Sequence, residues 1–186
     1  MNFIEEYSIP KDVCNDIVDY FYKNKSNHEE GAFGGKKIDI SIKDSIDLGL
    51  SVEQLINELP SYTTYLGEHL NLYLEKYMNI VSHWGPIQIN EGVNIQYYNP
   101  CGGFKVIHNE RDDWVTRARE LVFMTYLTDT PNGGTYFPFQ EYTTECIIGK
   151  TVIWPAGFTH PHVGEVSNTH EKMIITGWFS VFDSTK

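Results

Sequence analysis

The sequence predicts a mainly antiparallel β fold with supporting helices, and three observations lead to this prediction. From residue 85 onward the chain consists of short segments rich in β-branched and aromatic residues, separated by Gly, Pro and Asn. Residues 1–84 instead carry apolar residues at helical spacing. No repeat, low-complexity run or linker separates the two parts. We therefore expect residues 1–186 to form one domain, with 1–84 as helical support and an edge strand and 85–186 as a β-sandwich or barrel.

Length, composition and charge limit the classes of protein to consider. The chain has 186 residues, of which 41% are hydrophobic and 14% aromatic. That is enough for an ordered core without help from a metal or a disulfide. The formal net charge is −11, and a negative surface field repels a phosphate backbone. We expect no nucleic-acid partner.

The N-terminal segment and the cysteines indicate the compartment. The N-terminus has neither a basic region nor an apolar stretch of the kind that begins a secretory signal, and no window approaches the roughly 20 apolar residues of a membrane span. The three cysteines, Cys14, Cys101 and Cys146, are odd in number and lack CxxC spacing. They are typical of reduced thiols. We expect a cytoplasmic protein with no membrane partner.

The first helix is predicted near the N-terminus, within residues 10–23. Val13, Ile17 and Phe21 fall on one face at helical spacing, which is the pattern of an amphipathic helix packed on a core. Pro10 suits the first turn, where a missing N–H costs nothing.

A second helical segment is predicted within residues 51–78. Ser51 and Gln54 form a capping-box signature, in which each side chain satisfies a backbone N–H of the other residue. Pro60 is expected to break or restart the helix, because proline removes an intrahelical hydrogen bond. The preceding segment, residues 27–49, is rich in Gly and charge, and predicts a loop with one short strand.

The second half of the chain predicts a series of short strands. Each predicted strand is β-branched or aromatic and is bounded by turn residues. The segments are residues 93–98, 103–108, 120–129, 143–148, 150–155 and 171–182. Their spacing favours antiparallel pairing, as in a sandwich or barrel.

Candidate metal ligands lie at the end of one of these segments and between others. His108 and Glu110 are two residues apart, and on a strand they would point to the same face and reach one ion. His162 from a later strand would complete two histidines and one carboxylate, an arrangement that leaves coordination positions open on non-haem Fe(II). Open positions are typical of catalytic rather than structural sites.

Lys172 adds to this hypothesis. Strand alternation in residues 171–178 places Lys172 and Thr176 on one face, with the lysine in mid-strand among apolar residues. Burying an ammonium requires an anion, and a dicarboxylate co-substrate with one end on iron would supply it. Thr176 could donate a hydrogen bond to the same anion. The alternative is a lysine on an edge strand that points to solvent.

Two other ligand sets are compatible with the sequence. His160, His162 and Glu165 are spaced somewhat like a cupin metal motif, but that arrangement leaves His108 and Lys172 without a role. We favour His162 as ligand, with His160 beside the site.

Acidic residues after His108 provide the other alternative. Asp112 or Asp113 could replace Glu110 if the chain bends there. They belong to a polar segment, residues 109–119, that is either a lid over a substrate or an ordinary surface loop.

These residues together carry a family resemblance. The stretch from Tyr98 to Trp178 resembles the catalytic core of the Fe(II)- and 2-oxoglutarate-dependent dioxygenases, most of all the prolyl 4-hydroxylase branch. The matching pieces, in family order, are Tyr98 with the Gly-rich approach to His108, Arg119 leading to Tyr126 and Leu127, residues 133–138 (GGTYFP), and His162-x-Gly164 with Lys172, Thr176 and Trp178. They span roughly eighty residues, and a lysine stands ten residues after the second histidine.

The resemblance implies a fold, a site and a reaction. It implies a double-stranded β-helix, or jelly-roll, whose first and last strands carry the ligands and on which the N-terminal helices pack. His108, Glu110 and His162 would bind Fe(II), and Lys172 would hold the distal carboxylate of 2-oxoglutarate. Tyr98, Tyr126 and Thr176 would line the same pocket.

The activity implied is hydroxylation of a C–H bond with O2, releasing succinate and CO2, with ascorbate as a possible reductant for iron. A peptidyl proline is the substrate that the resemblance favours, so a peptide or protein partner is expected. The same reaction on a non-peptide small molecule is an alternative, as are a non-catalytic jelly-roll binding module and a cupin-like metalloenzyme. The chain departs from the family at Glu110, where the usual motif is His-x-Asp.

Overall fold

The computed structural model describes residues 1–34, 37–82 and 85–181. The helices are α1 (Lys11–Lys23), α2 (Val52–Glu58), α3 (Pro60–Lys76) and α4 (Met78–Val81). The strands are β1 (Glu5–Ser8), β2 (Glu29–Glu30), β3 (Lys43–Asp44), β4 (Ile46–Leu50), β5 (Ile87–Gln88), β6 (Val93–Tyr98), β7 (Gly103–Phe104), β8 (Arg119–Tyr126), β9 (Thr135–Phe137), β10 (Tyr142–Thr143), β11 (Lys150–Pro155), β12 (Val163–Gly164) and β13 (Lys172–Val181). None of the helices in these ranges is both long and apolar enough to cross a bilayer.

The strands form one large and two small antiparallel sheets. The eight-stranded sheet has the order β1-β11-β8-β13-β6-β4-β2, and β5 pairs with the end of β13. A three-stranded sheet, β10-β9-β12, faces it, and β3 pairs with β7. This is the jelly-roll architecture, so the predicted mainly β fold with supporting helices is confirmed.

The large sheet buries a different cluster on each face. One face of β13 carries Met173, Ile175 and Phe179, which join the helices in the larger core. The other face carries Ile174 and Trp178, which pack in the smaller cluster between the sheets. The alternation predicted for this strand is therefore confirmed.

The helices follow their sequence signals. In α1, Val13, Ile17 and Phe21 are buried together as predicted. Ser51 accepts a hydrogen bond from the Gln54 N–H and the Gln54 side chain bonds back to the Ser51 N–H, which completes the capping box of α2. α3 then begins at Pro60.

The prediction of a loop with one short strand over residues 27–49 is wrong. That part of the chain contributes β2, β3 and β4, and β4 is an interior strand of the large sheet. β4 was hard to predict because its sequence, IDLGL, does not alternate simply between apolar and polar residues. Asp47 faces the space between the sheets, and Gly49 has no side chain.

The strand predicted over residues 103–108 is also shorter than expected. Only Gly103 and Phe104 form β7, and the chain reaches His108 as an isolated bridge rather than as a continuous strand. The metal ligands lie beside the strands of the jelly-roll rather than within them, because His108 and His162 form the isolated bridge and Glu110 follows it in an irregular segment.

Candidate metal and ligand site

His108 and His162 are brought together by their own backbones. The His108 N–H donates to the His162 carbonyl at 3.0 Å, and the His162 N–H donates to the His108 carbonyl at 2.8 Å. This isolated antiparallel bridge places the two imidazole centroids 4.5 Å apart. The rings are further fixed by stacking, His108 on Phe104 at 3.9 Å and His162 edge-on to Trp154 at 5.0 Å.

The same nitrogen of each imidazole is committed to a backbone carbonyl. His108 Nδ1 lies 2.9 Å from the Val106 oxygen, and His162 Nδ1 lies 3.0 Å from the His160 oxygen. A carbonyl only accepts, so both Nδ1 atoms carry the proton and donate it. This leaves each Nε2 lone pair free as a metal ligand, which is the arrangement that second-shell carbonyls impose at metal sites.

Glu110 faces both of these nitrogens. Its Oε1 lies 3.4 Å from His108 Nε2 and 3.5 Å from His162 Nε2. The ligand atoms of the three residues all lie within 4.8 Å of one another. Two imidazoles and one carboxylate in this cluster fit a divalent metal of the non-haem Fe(II) type.

The Glu110 carboxylate is held from its other side as well. Trp178 Nε1 donates to Oε2 at 3.0 Å, and an Arg119 nitrogen lies 3.6 Å from the same oxygen. The Glu110 N–H donates to the Ala156 carbonyl at 3.1 Å. Indole and guanidinium thus position one oxygen, and the other oxygen turns toward the histidines.

The electrostatics of this carboxylate favour its charged form. Burial by itself raises the pKa of Glu110, whereas protons on the histidine nitrogens that face its Oε1 lower it, and the balance holds the pKa well below its usual range. A metal cation in the place of those protons acts in the same direction. Glu110 is therefore an anion at neutral pH, which is the state that binds a metal.

The two-residue spacing predicted that His108 and Glu110 lie on one strand, and this prediction is wrong. Residue 109 and residue 110 follow the bridge in an irregular segment, and Arg111 also donates to the Ala156 carbonyl, at 3.0 Å. The spacing brings the side chains together because the backbone bends here, and not because of strand alternation.

Lys172 lies at the other end of the cavity and is buried. It is 5% exposed, and its Nζ donates to the Glu165 carbonyl at 2.9 Å. Within the described residues no carboxylate oxygen lies within 4.0 Å of this ammonium. Burial lowers the pKa of Lys172 below its ordinary value. The alternative of a solvent-facing lysine on an edge strand is wrong.

The surroundings of Lys172 leave it accessible to an anionic ligand. Tyr98 is its cross-strand partner, with the ring centre 5.2 Å from Nζ. A methyl group on Gly164 would lie 3.4 Å from Nζ, so glycine keeps the approach to the ammonium open. A buried ammonium with one carbonyl partner has two unused N–H donors, which suits a carboxylate.

The three residues predicted to line the co-substrate pocket all lie in the cavity. Tyr98 donates its hydroxyl to Gln96 at 2.5 Å. The Tyr126 hydroxyl lies 2.8 Å from Thr135 Oγ1 and 2.6 Å from Thr144 Oγ1. The sequence did not assign either threonine to the pocket; Thr135 begins β9, and Thr144 directly follows β10.

Thr176 differs from its predicted role. Its hydroxyl donates to the Phe123 carbonyl at 3.0 Å, so the predicted donation to a bound anion is wrong for the conformation observed. The oxygen still faces the cavity and can accept a hydrogen bond.

One cavity connects all of these groups. Its volume is about 600 Å³, and it contains the His108–Glu110–His162 cluster, Lys172 and the three lining residues above. The walls also include Lys43, Asn94 and Gln96, which the sequence did not single out.

Both alternative ligand sets are inconsistent with the geometry. The two ring nitrogens of His160 contact Thr159 Oγ1 at 2.9 Å and the Asn2 carbonyl at 2.7 Å. That excludes the cupin-like set and leaves His160 beside the site, where its carbonyl orients His162. The carboxylate of Asp113 accepts from Thr116 N at 2.9 Å, and Asp112 Oδ1 accepts from Thr116 Oγ1 at 3.4 Å. Neither aspartate belongs to the described cluster of ligand atoms, which contains Glu110.

The segment 109–119 borders the mouth of the cavity. Asp112, Asp113 and Val115 line it, and Val115 and Trp114 are 82% and 77% exposed. The Arg117 guanidinium stacks on Trp114 at 3.9 Å. The segment therefore adjoins the cavity, as the predicted lid over a substrate would, and its tip is exposed, as in a surface loop.

No protein-family model and no curated protein sequence matches this chain. Solved structures do match its fold over nearly the whole length. A Pseudomonas putida prolyl-4-hydroxylase superposes with a TM-score of 0.72 at 14% identity, covering 98% of this chain and 95% of that chain. The viral collagen prolyl hydroxylase from Paramecium Bursaria Chlorella virus-1, in its 2OG complex, gives 0.71 at 16% identity, with 97% of each chain covered.

A third structure is a prolyl hydroxylase from Trichoplax adhaerens in complex with a hypoxia inducible factor peptide fragment. It superposes with a TM-score of 0.76 at 11% identity, covering 97% of this chain and 84% of that chain. At these identities the likeness concerns the fold, and it agrees with the resemblance seen in the sequence. The chain therefore has the fold of the prolyl 4-hydroxylase-like 2-oxoglutarate oxygenases.

Proposed function

We propose that the protein is an Fe(II)- and 2-oxoglutarate-dependent dioxygenase that hydroxylates a peptidyl proline, with release of succinate and CO2. The observation that carries the proposal is one cavity with a His108–Glu110–His162 cluster at one end and a buried ammonium, Lys172, at the other. A dicarboxylate that chelates a metal through one end and meets a cation at the other fits this cavity.

The residues of the chain have separate roles in this proposal. His108, Glu110 and His162 hold the metal on one side and leave other coordination positions open. Lys172 binds the distal carboxylate, and Tyr98 and Tyr126 form the walls that orient the carbon chain. When bound, iron and 2-oxoglutarate supply the O2 chemistry that places one oxygen atom in a C–H bond.

Exclusion of water is the remaining task of the protein. Met124, Trp154 and Ile174 line the cavity with apolar surface, which keeps solvent away from the reacting groups. Arg119 and Trp178 hold Glu110 so that the ligand does not swing away from the metal between turnovers.

A peptide substrate is supported by the position of the cavity mouth and by the third structural neighbour, which was solved with a peptide. Val115 lines the cavity, and it and its neighbour Trp114 are exposed, so residues flanking a target proline could contact them. We propose a cytoplasmic peptide or protein as the substrate.

The test is substrate-stimulated succinate release. Protein with Fe(II), 2-oxoglutarate, O2 and ascorbate is incubated with proline-containing peptides, free amino acids and other small molecules, and products are examined by mass spectrometry for one added oxygen. We expect slow succinate release without substrate and faster release with a peptide. His162→Ala should abolish both, and His170→Ala, an exposed histidine, should abolish neither.

Two results would reject the proposal at different levels. Absence of succinate together with absence of an anaerobic charge-transfer band would reject the dioxygenase activity. Succinate release that is stimulated only by non-peptide molecules would support the dioxygenase activity but would reject a peptidyl proline as the substrate.

A further inference from the structure

Two amide side chains on β6, Asn94 and Gln96, make no hydrogen bond to the metal cluster or to Lys172 among the described residues. Asn94 and Gln96 point into the cavity, whereas Val93 and Ile95 point the other way into the helix-side core. Because residues two apart on a strand face the same side, about 7 Å apart along it, the two amides form a polar strip on the cavity wall.

The hydrogen bonds of Asn94 fix which of its atoms is available. Its Nδ2 donates to Asp47 Oδ2 at 2.8 Å. Asp47 is itself held by Lys43 Nζ at 2.6 Å and Ser45 Oγ at 2.7 Å. An ionised carboxylate only accepts, so Asn94 must turn its NH2 group toward it. Its Oδ1, an acceptor, has no hydrogen-bond partner among the described residues.

Gln96 presents the complementary atom. Its Oε1 accepts from the Tyr98 hydroxyl at 2.5 Å, and its Nε2 donors have no partner within the part of the chain that the structure describes. Gln96 is only 8% exposed and lines the cavity, so the Nε2 donors face the cavity rather than the outer surface of the protein. A buried amide left with unused donors in a cavity is a site prepared for an acceptor.

There is room for a ligand beside the strip. Gly49 of β4 is the cross-strand partner of Asn94, and Leu48 and Leu50 on either side of it point into the helix-side core. A methyl group on Gly49 would meet no described atom within 4 Å. The space next to Asn94 is therefore open on the cavity side of the sheet.

We propose that Asn94 and Gln96 form a subsite that binds a backbone amide of the substrate. Gln96 Nε2 donates to a peptide carbonyl, and Asn94 Oδ1 accepts from the next peptide N–H. An acceptor and a donor presented side by side are what a peptide backbone offers, whereas a hydrocarbon or a free carboxylate offers no donor. The inference rests on the proposed function, and it names the recognition group within that substrate class.

The consequence is discrimination against ligands that lack the N–H group. A buried acceptor that loses its hydration without gaining a donor weakens binding, so a site built to bond an N–H rejects the isosteric analogue. Lys43, Ser45 and Asp47 serve as positioning residues, because they hold the Asn94 amide in the orientation that exposes Oδ1.

The probes that test this subsite are N-acetylproline N-methylamide and N-acetylproline methyl ester. Both carry the carbonyl that Gln96 would bind, but only the methylamide carries the N–H. Binding is measured anaerobically with Mn(II) in place of iron and saturating 2-oxoglutarate, by NMR titration. A compound of this size binds at about millimolar affinity. We expect the methylamide to bind about tenfold or more tightly than the ester.

Three variants separate the contacts. Asn94→Leu should remove the preference for the methylamide. Gln96→Met should weaken both probes and keep the preference. Gly49→Val should weaken both by filling the space beside Asn94, without removing any polar group. The exposed substitution Asn168→Leu should change nothing, and thermal melting of each variant verifies folding.

The proposal is overturned if the wild type binds neither probe, if it binds both equally, or if Asn94→Leu keeps the preference. Affinity for 2-oxoglutarate is measured in parallel and should be unchanged in Asn94→Leu and Gly49→Val. Loss of 2-oxoglutarate binding in those variants would assign the amides to the co-substrate pocket instead. Absence of 2-oxoglutarate binding in the wild type would reject the proposed function itself, so the two failures are distinct.

Discussion

At the scale of single residues, Glu110 shows how a longer ligand is accommodated. Glutamate is one methylene longer than aspartate, and the two oxygens of its carboxylate face different groups: the Trp178 indole on one side and the two histidines on the other. Oε2 accepts from Trp178 Nε1 at 3.0 Å while Oε1 faces both histidine Nε2 atoms. The site is thus built around glutamate, through an indole that would be out of reach of a shorter side chain.

Glu110→Asp is therefore expected to weaken metal binding, by about 10- to 100-fold, as is typical when the partners that orient a ligand are lost. Mn(II) titration followed by electron paramagnetic resonance measures the affinity. Glu120→Asp is the matched control, because Glu120 pairs with Arg111 at 2.6 Å away from the metal cluster. An aspartate variant that binds Mn(II) as tightly as the wild type would contradict this account of Glu110.

Lys172 provides a second prediction at this scale. Lys172→Met should reduce affinity for 2-oxoglutarate by about 30-fold or more, because the bound carboxylate would lose its buried charge partner. Metal affinity should not change. The free energy of unfolding without ligand should not fall, because the variant removes a buried charge that lacks a carboxylate partner.

The anaerobic charge-transfer band measures 2-oxoglutarate affinity in the Lys172→Met variant, and urea unfolding measures its stability. Lys11→Met is the control, since the side chain of Lys11 is 72% exposed. Unchanged 2-oxoglutarate affinity would show that the lysine does not hold the co-substrate.

Sequence reasoning reached some of these residues and missed others for physical reasons. Lys172 was identifiable because a charge in an apolar strand needs a partner. Asn94 and Gln96 were not, because polar residues in the alternating strand VNIQYY equally suit a solvent-exposed face. They are cavity residues because that side of the sheet is covered by other parts of the chain, among them Lys43 and Phe104 of the β3–β7 pair.

At the scale of secondary-structure elements, the strands that could be predicted were those with a continuous run of β-branched and aromatic residues. β6 and β11 match their predicted bounds, because each is a continuous β-branched and aromatic run. β1 and β4 did not stand out, since EEYS and IDLGL are short and partly charged or glycine-containing. They are strands because β11 and β6 offer them hydrogen-bonding edges.

The contact between α3 and β1 makes a prediction about pH. His69 of α3 stacks on Tyr7 of β1 with ring centres 4.8 Å apart, and its Nδ1 has no hydrogen-bond partner within the described residues. Burial lowers the pKa of His69 below its ordinary value of 6.5, against the smaller opposite effect of Glu68.

In the window just below pH 6.5 the unfolded chain therefore binds a proton at His69 that the folded chain does not. Stability contributed by neutral His69 is fully present above pH 6.5 and is lost as the pH falls toward the lower folded-state pKa. His69→Phe keeps the stacked ring and removes the titration. Between pH 7 and pH 5.5 the variant should lose less free energy of unfolding than the wild type, as measured by urea titration.

The control for His69→Phe is His170→Phe, at an exposed position. It should follow the wild type across the same pH range. Equal losses in His69→Phe and in the wild type would mean that His69 is protonated equally readily in the folded and unfolded states, contrary to its burial.

At the scale of the whole molecule, the large sheet separates two cores with different tasks. The helix-side cluster contains aliphatic and aromatic residues from every major helix and from β4, β6, β8, β11 and β13. The cavity-side cluster is smaller and adjoins the polar site. Stability is thus concentrated on the face away from the cavity, and the cavity side can retain buried polar groups that only ligands satisfy.

Because those groups are incomplete without ligands, binding should stabilise the entire fold. A ligand that binds only the folded state at 100 times its Kd adds about 2.7 kcal/mol, and for a domain of this size each kcal/mol raises Tm by about 2–4 °C. Mn(II) in that excess should therefore raise Tm by several degrees.

2-Oxoglutarate should add a further rise in Tm only when Mn(II) is present, since its chelating end requires the metal. His108→Ala should remove both increments and Lys172→Met only the second, as measured by differential scanning calorimetry. A rise in Tm with 2-oxoglutarate alone, or a Mn(II) effect that survives His108→Ala, would place the ligands outside the cavity.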